Sequence, residues 1–341
     1  MDVSIISFLP AYPSIDIKKD NLFDLFTQGF YQSIYNKKEF HQLKSIPDQE
    51  RINDGKFHPQ PHQIFASRYS SPETPYDRQL IFHSMGFGKT GLAILTAENA
   101  IGRGFVGGVI AVPSQKFFRV FMTEIVKITG TKYFPPKYED LTPEELERAI
   151  RKNIRKIYRF LTFEAFANSL KKDELMDKSS ISQALRNEYS NRVIIIDEAH
   201  NLRIKPDKKE TSEVYSAFHL LLQSVINCKV LIMTATPFKD RWNEIASLVN
   251  LMLPLDKQFV TGNEFDREFS NNGITITDVD KIKDRLRGLI TTLRSVPSSV
   301  KKEFIGEFIG NLKVFKVDIS KMSDFQAEGY LRAYRKDTEA G

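Results

Sequence analysis

The stretch Gln79–Leu95, QLIFHSMGFGKTGLAIL, opens on an apolar run and closes on one, with GFGKT (Gly86–Thr90) between them. That middle segment is too polar and too rich in glycine to be core. An apolar strand, a glycine turn bearing Lys89 and Thr90, and the helical pattern TGLAILTAENA together make the layout of a phosphate-binding loop. Glycines let backbone N–H groups reach a β-phosphate with no Cβ in the way, and the helix N-terminus adds its positive end. Lys89 supplies a mobile charge for the β- and γ-phosphates, and Thr90 a hydroxyl for Mg²⁺. The phosphate-cradling residues on this reading are His83, Ser84, Met85, Gly86, Phe87, Gly88, Lys89 and Thr90. One position departs from the pattern G-x-x-x-x-G-K-[ST]: the leading glycine is replaced by His83.

Other apolar runs surround this one: GGVIAV, YRFLTF, RVIIID and CKVLIMT. They are continuous rather than alternating, as expected of strands buried on both faces of a parallel sheet. Helical patterns between them predict right-handed crossovers and a three-layer α/β domain. In LTPEELERAIRKNIRKIYRF, Thr142 is the N-cap, Pro143 the first helical residue and Glu145 the partner in a capping box. The basic cluster Arg151, Lys152, Arg155, Lys156 and Arg159 near its end reads as a solvated face in preference to a nucleic-acid contact.

A second motif tests the first. VIIIDEAH (Val193–His200) sets Asp197 and Glu198 at the C-terminal end of a buried strand, where an α/β sheet presents its ligands. Two adjacent carboxylates there are costly unless they serve a cation or a water. Asp197 is assigned to Mg²⁺, partly through water, and Glu198 to polarising the attacking water. The turn ending in Lys89 and this acidic pair are expected to converge from neighbouring strand tips. LIMTATP (Leu231–Pro237) is a third strand, running into Thr234 and Thr236, whose hydroxyls can bond toward the acidic pair.

In that order the three motifs resemble those of superfamily 2 helicases and related nucleic-acid-dependent ATPases, covering roughly residues 57–335. GFGKT looks like motif I, DEAH like motif II and TAT like motif III. AVPSQ, with Pro113, Ser114 and Gln115, sits where motif Ia belongs. LTFEAF, with Thr162, looks like the next segment facing nucleic acid. The resemblance implies a RecA-like P-loop NTPase domain, ATP and Mg²⁺ as cofactors, and DNA or RNA as partner. It implies an adenine contact for Gln63 and a relay from ATP to motif III for His200, a helix-start hydrogen bond being the plainer role for that histidine. The wording PHQIFASRYSSPETPYDRQLIFHSMGFGKT is similar to the branch of large cytoplasmic DNA viruses that holds poxvirus early transcription factor and nucleoside triphosphatase I. Histidine commonly stands at the position of His83 in that branch.

The resemblance implies an ATP-driven helicase or translocase, acting in viral transcription beside the viral RNA polymerase. Two rivals stay open: a nucleotide-switched initiation or termination factor with little unwinding, and a P-loop enzyme unrelated to nucleic acid, such as a small-molecule kinase. The expected organisation is a helical N-terminal extension over 1–56, the RecA-like domain over 57–255, and a connection over 256–341. That connection leads toward a second RecA-like domain absent from the chain. No Q-x-x-G-R-x-x-R-like motif follows residue 238, so an arginine finger is expected from elsewhere and the isolated chain is expected to turn over slowly.

Composition bounds the rest. With 341 residues, 41% hydrophobic and 27% charged, the chain suits a globular fold with a sizeable core. A net charge of +6 suits an anionic partner without demanding one. The single cysteine, Cys228, excludes an internal disulfide, and a reducing compartment, the host cytoplasm or the virion, is expected. No run has the length of a membrane span, and the N-terminus lacks the basic lead of a signal peptide, so no membrane is expected. The spacing of Leu22, Phe23, Phe26, Phe30 and Ile34 predicts a helix with one buried face, read as packing in preference to partner docking. His58 and His62 lie four apart, but nearby prolines argue against a helical metal pair; Trp242 is expected in the core.

Overall fold

The computed structural model describes residues 12–15, 29–45, 54, 56–171, 177–202, 204, 213–237, 243–271, 275–293, 307–308, 316–317, 323 and 326–332. Leu22, Phe23, Phe26 and Trp242 lie outside the described residues. The chain divides into two compact units, Met1–Arg294 and Ser295–Gly341.

The helices of the first unit are α1 (Gly29–Tyr35), α2 (Lys38–His41), α3 (Pro61–Tyr69), α4 (Lys89–Ala100), α5 (Lys116–Thr129) and α6 (Pro143–Ile157). They continue with α7 (Phe163–Lys171), α8 (Lys178–Tyr189), α9 (Glu213–Ser224), α10 (Glu244–Asn250), α11 (Asn263–Phe269) and α12 (Val279–Leu286). Its main strands are β1 (Arg78–His83), β2 (Gly107–Val112), β3 (Tyr158–Thr162), β4 (Arg192–Ile196) and β5 (Lys229–Thr234). A small antiparallel pair, β6 (Ser270–Asn271) with β7 (Thr275–Ile276), precedes β8 (Ile290–Leu293). The second unit holds the antiparallel ribbon of β9 (Glu307–Phe308) and β10 (Lys316–Val317).

The main sheet has the order β3-β2-β4-β5-β1-β8, and every pairing in it is parallel. Continuous apolar strands follow from the layering. Leu80, Val109, Ile194, Ile196, Val230 and Ile232 face one core, where they meet Phe166 of α7, Leu185 of α8, Phe218 of α9 and Leu248 of α10. Ile81, Ile110, Val112, Ile195, Leu231 and Met233 face the other, with Ala66 of α3, Leu92 and Ile94 of α4, Phe121 of α5 and Ile154 of α6. Alternate residues of one strand thus serve opposite faces, and the buried polar residues, Gln79 aside, stand at strand ends: His83, Lys229 and Thr234. This is the doubly covered α/β sheet expected of a RecA-like domain.

The start of α6 is built as its sequence predicts. The Thr142 hydroxyl accepts from Glu145 N–H at 3.4 Å, and the Glu145 carboxylate accepts from Thr142 N–H at 3.0 Å, with Pro143 in first position.

Three features differ from the sequence reading. The segment DVDKIKDRLRGLITTLRS reads as helical throughout, but helix covers only Val279–Leu286, and Ile290–Leu293 is a sheet strand parallel to β1. Gly288, at φ +69°, breaks the helix; a Cβ there would lie 2.6 Å from the Tyr69 hydroxyl and 2.8 Å from the Phe30 ring. The two threonines that follow favour the extended form. A strand lying within the expected connection over 256–341 therefore adds to the main sheet of the first unit. Second, residues of the expected extension over 1–56 belong to the same compact unit. Phe30 and Ile34 of α1 and Phe40 of α2 pack with Tyr69 and Tyr76, and the Tyr69 hydroxyl donates to Gly288 O at 2.7 Å. Third, Lys89 and Asp197 do not come from neighbouring strand tips, because β5 lies between β1 and β4.

Candidate nucleotide site

The parallel sheet sends the C-terminal ends of β1, β5 and β4 to one rim, and the three motifs meet there. The turn after β1 contains two glycines in the left-handed region, Gly86 at φ +83° and Gly88 at φ +67°. At Gly88 the requirement is double, because a Cβ would also fall 2.5 Å from the Gln63 amide nitrogen. The Lys89 ammonium folds back over the turn and donates to His83 O at 2.9 Å and Ser84 O at 3.3 Å. Burial lowers its pKa, while the charges of Asp197 and Glu198 oppose that shift. Thr90 is the second residue of α4 and half-buried, whereas Met85 stands 83% exposed at the tip of the turn.

Asp197 follows β4 and is 7% exposed. Its backbone N–H extends the ladder to Ala111 O at 3.0 Å, and its carboxylate accepts from Glu198 N–H at 2.9 Å. Burial pushes its pKa up to about 6; the Glu198 N–H bond and the charge of Lys89 pull down against it, while the Glu198 charge adds to it. Glu198 has φ +52°, a left-handed backbone for a residue with a side chain. Such strain persists only where the surrounding structure imposes it.

His200 connects the acidic pair to the middle strand. Its Nδ1 lies 3.2 Å from Glu198 Oε2 and 3.2 Å from Thr234 Oγ1. A carboxylate only accepts, so Nδ1 carries the proton, leaving Nε2 to accept from the Asn201 amide at 3.3 Å. Thr234 Oγ1 also accepts from Thr236 N–H at 3.0 Å. Thr234 therefore sits on the strand between the two charged motifs, and its hydroxyl is bonded toward the acidic side. Asn201 has no motif signal in the sequence beyond its place after His200.

Gln63 lies against the turn, at the start of α3. Its amide oxygen accepts from Gln60 N–H at 2.8 Å, and its amide nitrogen donates to Gly88 O at 2.9 Å. His83 ends β1 with its ring fully buried, edge-on to His62 at 5.7 Å, and neither ring nitrogen has a hydrogen-bond partner among the described residues. Burial lowers its pKa to about 4, with the charges of His62 and Lys89 adding to the shift, so it is neutral at pH 7. His58 and His62 part company: His58 pairs with Asp54 at 2.9 Å, and His62 bonds Phe87 O at 3.0 Å. Among the described residues no group of three or more metal-ligating side chains gathers.

The expected nucleic-acid residues lie on the same rim toward the other edge of the sheet. Pro113 and Ser114 lead from β2 to Gln115 at the start of α5, and Thr162 ends β3, where its hydroxyl accepts from Ala165 N–H at 3.3 Å. Gln115 and Thr162 line one cavity of about 440 Å³ with Phe118, Phe160, Leu161 and Tyr189. The basic cluster of α6 runs instead into the N-terminal end of β3, on the opposite rim. Arg151 pairs there with Glu147 and Arg159 with Glu188, as suits a solvated face.

The family model described as "Type III restriction enzyme, res subunit" matches residues 56–239, a span containing all three motifs. The chain belongs to that family. Viral proteins are among its relatives. It is 30% identical to "Putative helicase 009L" of Frog virus 3 (isolate Goorha), over 99% of this chain and 34% of that protein. It is also 30% identical to "Putative helicase 087L" of Invertebrate iridescent virus 3, over 99% of this chain and 32% of that protein. The chain thus spans about a third of the length of these relatives. Among solved structures it is similar to a Sulfolobus solfataricus SWI2/SNF2 ATPase core domain, at 18% identity over 73% of this chain and 46% of that one, with a TM-score of 0.45. No helix among the described residues is long and apolar enough to cross a membrane.

Proposed function

We propose that the chain is the first motor domain of a viral nucleic-acid-dependent ATPase, a helicase or translocase serving transcription beside the viral RNA polymerase. The observation that carries this reading is the gathering on one C-terminal rim of the half-buried Lys89 after β1, the buried Asp197 and Glu198 after β4, and His200, which joins Glu198 to Thr234 of the strand between them. An ammonium and a buried carboxylate on the same rim, beside a turn with two left-handed glycines, suit a polyanion and its divalent cation.

In this role the turn from His83 to Thr90 holds the triphosphate of ATP. Thr90 and Asp197 hold Mg²⁺, which supplies positive charge to the phosphate oxygens when bound. Glu198 accepts the proton of the attacking water, and His200 with Thr234 holds Glu198 in place. Nucleic acid passes Pro113–Gln115 and Thr162, held mainly through its phosphates. A second RecA-like domain, in the same polypeptide or in a partner, contributes the arginine that raises turnover by about 10³ to 10⁵.

The test is ATP turnover with no polymer, single-stranded DNA, duplex DNA and RNA. Stimulation by at least one polymer is expected, and Glu198→Gln lowers turnover by about 10² to 10⁴ while keeping nucleotide binding. Turnover indifferent to every polymer supports a P-loop enzyme of another kind. Polymer-stimulated turnover without strand displacement supports the nucleotide-switched factor.

A further inference from the structure

We infer that the cavity along the outer edge of β3 is a base pocket, taking one unstacked nucleobase of a single strand against Phe118 and Phe160, with an adjoining phosphate at Arg119. The proposal rests on the nucleic-acid reading above and names the form of nucleic acid which that reading leaves open.

The first support is the cavity itself. The main sheet ends at β3, and no strand among the described residues pairs with its outer side. Strand β2 is buried throughout, but Arg159, Phe160, Leu161 and Thr162 of β3 are only half-buried. Apolar side chains of both cores surface at this edge: Phe118 and Phe160 from one, Leu161, Leu170 and Ile181 from the other. They line a cavity of about 440 Å³, within the roughly 300 to 1,000 Å³ of small-ligand pockets. The rings of Phe118 and Phe160 meet edge to face, 5.3 Å between centroids, and form an aromatic corner. A flat heteroaromatic ring stacks on such a wall whichever base it belongs to.

The second support is the polar surround. Gln115 lines the cavity at the start of α5, and its amide makes no capping bond, which leaves a donor and an acceptor for a base edge. The Thr162 hydroxyl accepts from Ala165 N–H and keeps its own proton to donate. Gln115, Phe118 and Arg119 stand three and four positions apart, so they share one face of α5. Arg119 is exposed and has no carboxylate partner among the described residues. Glu188, the acidic residue of the cavity, is instead neutralised by Arg159, whose guanidinium lies over the Tyr189 ring. The walls therefore suit a base and the unpaired cation suits a phosphate; one nucleotide supplies both.

The form of the polymer follows. Within a duplex both faces of a base are stacked and its edge is paired, so only an unstacked base can enter. An added β-strand would also fit the edge, but it would leave Arg119 and the Gln115 amide without a role.

The test uses the full chain and measures affinity for a single strand of DNA or RNA, the same strand made abasic throughout, and a duplex of equal length. The base-bearing strand is expected to bind about five- to hundredfold tighter than the abasic one. Phe118→Leu, which keeps apolar volume but removes the ring, is expected to erase that difference and leave the abasic affinity unchanged. Should Phe118→Leu fail to fold, Gln115→Ala at an exposed position is expected to weaken only the base-bearing strand. Arg119→Gln is expected to weaken both strands alike and to lower the salt slope by about one. Equal affinity for base-bearing and abasic strands overturns the pocket and leaves the nucleic-acid reading standing, as does a difference that survives Phe118→Leu, or a duplex bound as tightly as the single strand. Binding of an alternating valine–threonine peptide in place of any strand assigns the edge to strand addition and also overturns it. A chain that binds none of the polymers ends the nucleic-acid reading and the pocket together.

Discussion

Lys229 and Lys89 belong to opposite rims of one sheet, and both are withdrawn from water, but they are answered differently. Lys229, at the N-terminal end of β5, is 3% exposed and donates to Thr74 O at 2.8 Å, Tyr76 O at 3.3 Å and Asp77 Oδ1 at 2.9 Å. Its countercharge is within hydrogen-bond distance, and the pair ties β5 to the chain entering β1. Lys89 holds only two backbone carbonyls, and among the described residues no carboxylate closes to ion-pair distance. Asp197 and Glu198 act on it from across the rim. A lysine kept for the fold has its charge settled locally. One kept for a ligand, as proposed for Lys89, leaves charges of both signs unsettled on one rim, and burial shifts the pKa of both Lys89 and Asp197 toward the neutral form.

That contrast can be broken most directly at Lys89. Lys89→Ala is expected to lower nucleotide turnover by about 10² to 10³ while leaving the melting temperature nearly unchanged. A variant that unfolds would place Lys89 with Lys229 as a structural cation. The reverse holds at the other rim. Lys229→Met strands two buried carbonyls while the exposed Asp77 carboxylate stays in water, so denaturant unfolding should report a loss on the order of 3 kcal/mol, with the nucleotide affinity of the folded fraction intact.

His83 sharpens the comparison, since it is buried on the C-terminal rim with no partner for either nitrogen among the described residues. Its pKa in the folded chain is about 4. Below its ordinary value of about 6.5, the unfolded chain takes up a proton that the folded chain refuses until about pH 4. Stability therefore drains as pH falls through that window, by up to about 3 kcal/mol. His83→Leu is expected to flatten that acid limb and to add about 1–2 kcal/mol at pH 7. Thermal unfolding at pH 4, 5, 6 and 7 measures both. The smallest effect belongs to Glu198: Glu198→Gly relieves a left-handed backbone and should raise stability by about 1 kcal/mol in an inactive protein. Stability lost there would mean that the backbone is not strained.

Much of this was legible in sequence because the signals are local. Continuous apolar runs need two covered faces, and β1 to β5 all stand where those runs lie. The capping box at Thr142 works within four residues, so it needs no tertiary partner. ITTL after Gly288 was less legible, because a short β-branched run beside a helical pattern takes its state from a neighbour, and the neighbour is β1, some two hundred residues away. Gln63 and His62 were visible as residues, but their contacts were not, since their bonds to Gly88 and Phe87 span twenty-five positions.

The sequence by itself determined that a glycine turn with Lys89, an acidic pair at 197–198 and a threonine pair at 234 and 236 each follow a strand. Local stereochemistry and burial allow those residue types little else. Only the tertiary structure decided the order of those strands, inserting β5 between β1 and β4 and making Thr234 the neighbour of both charged motifs. Strand order is set by which hydrophobic faces and crossover helices pack together, and no single segment carries that information.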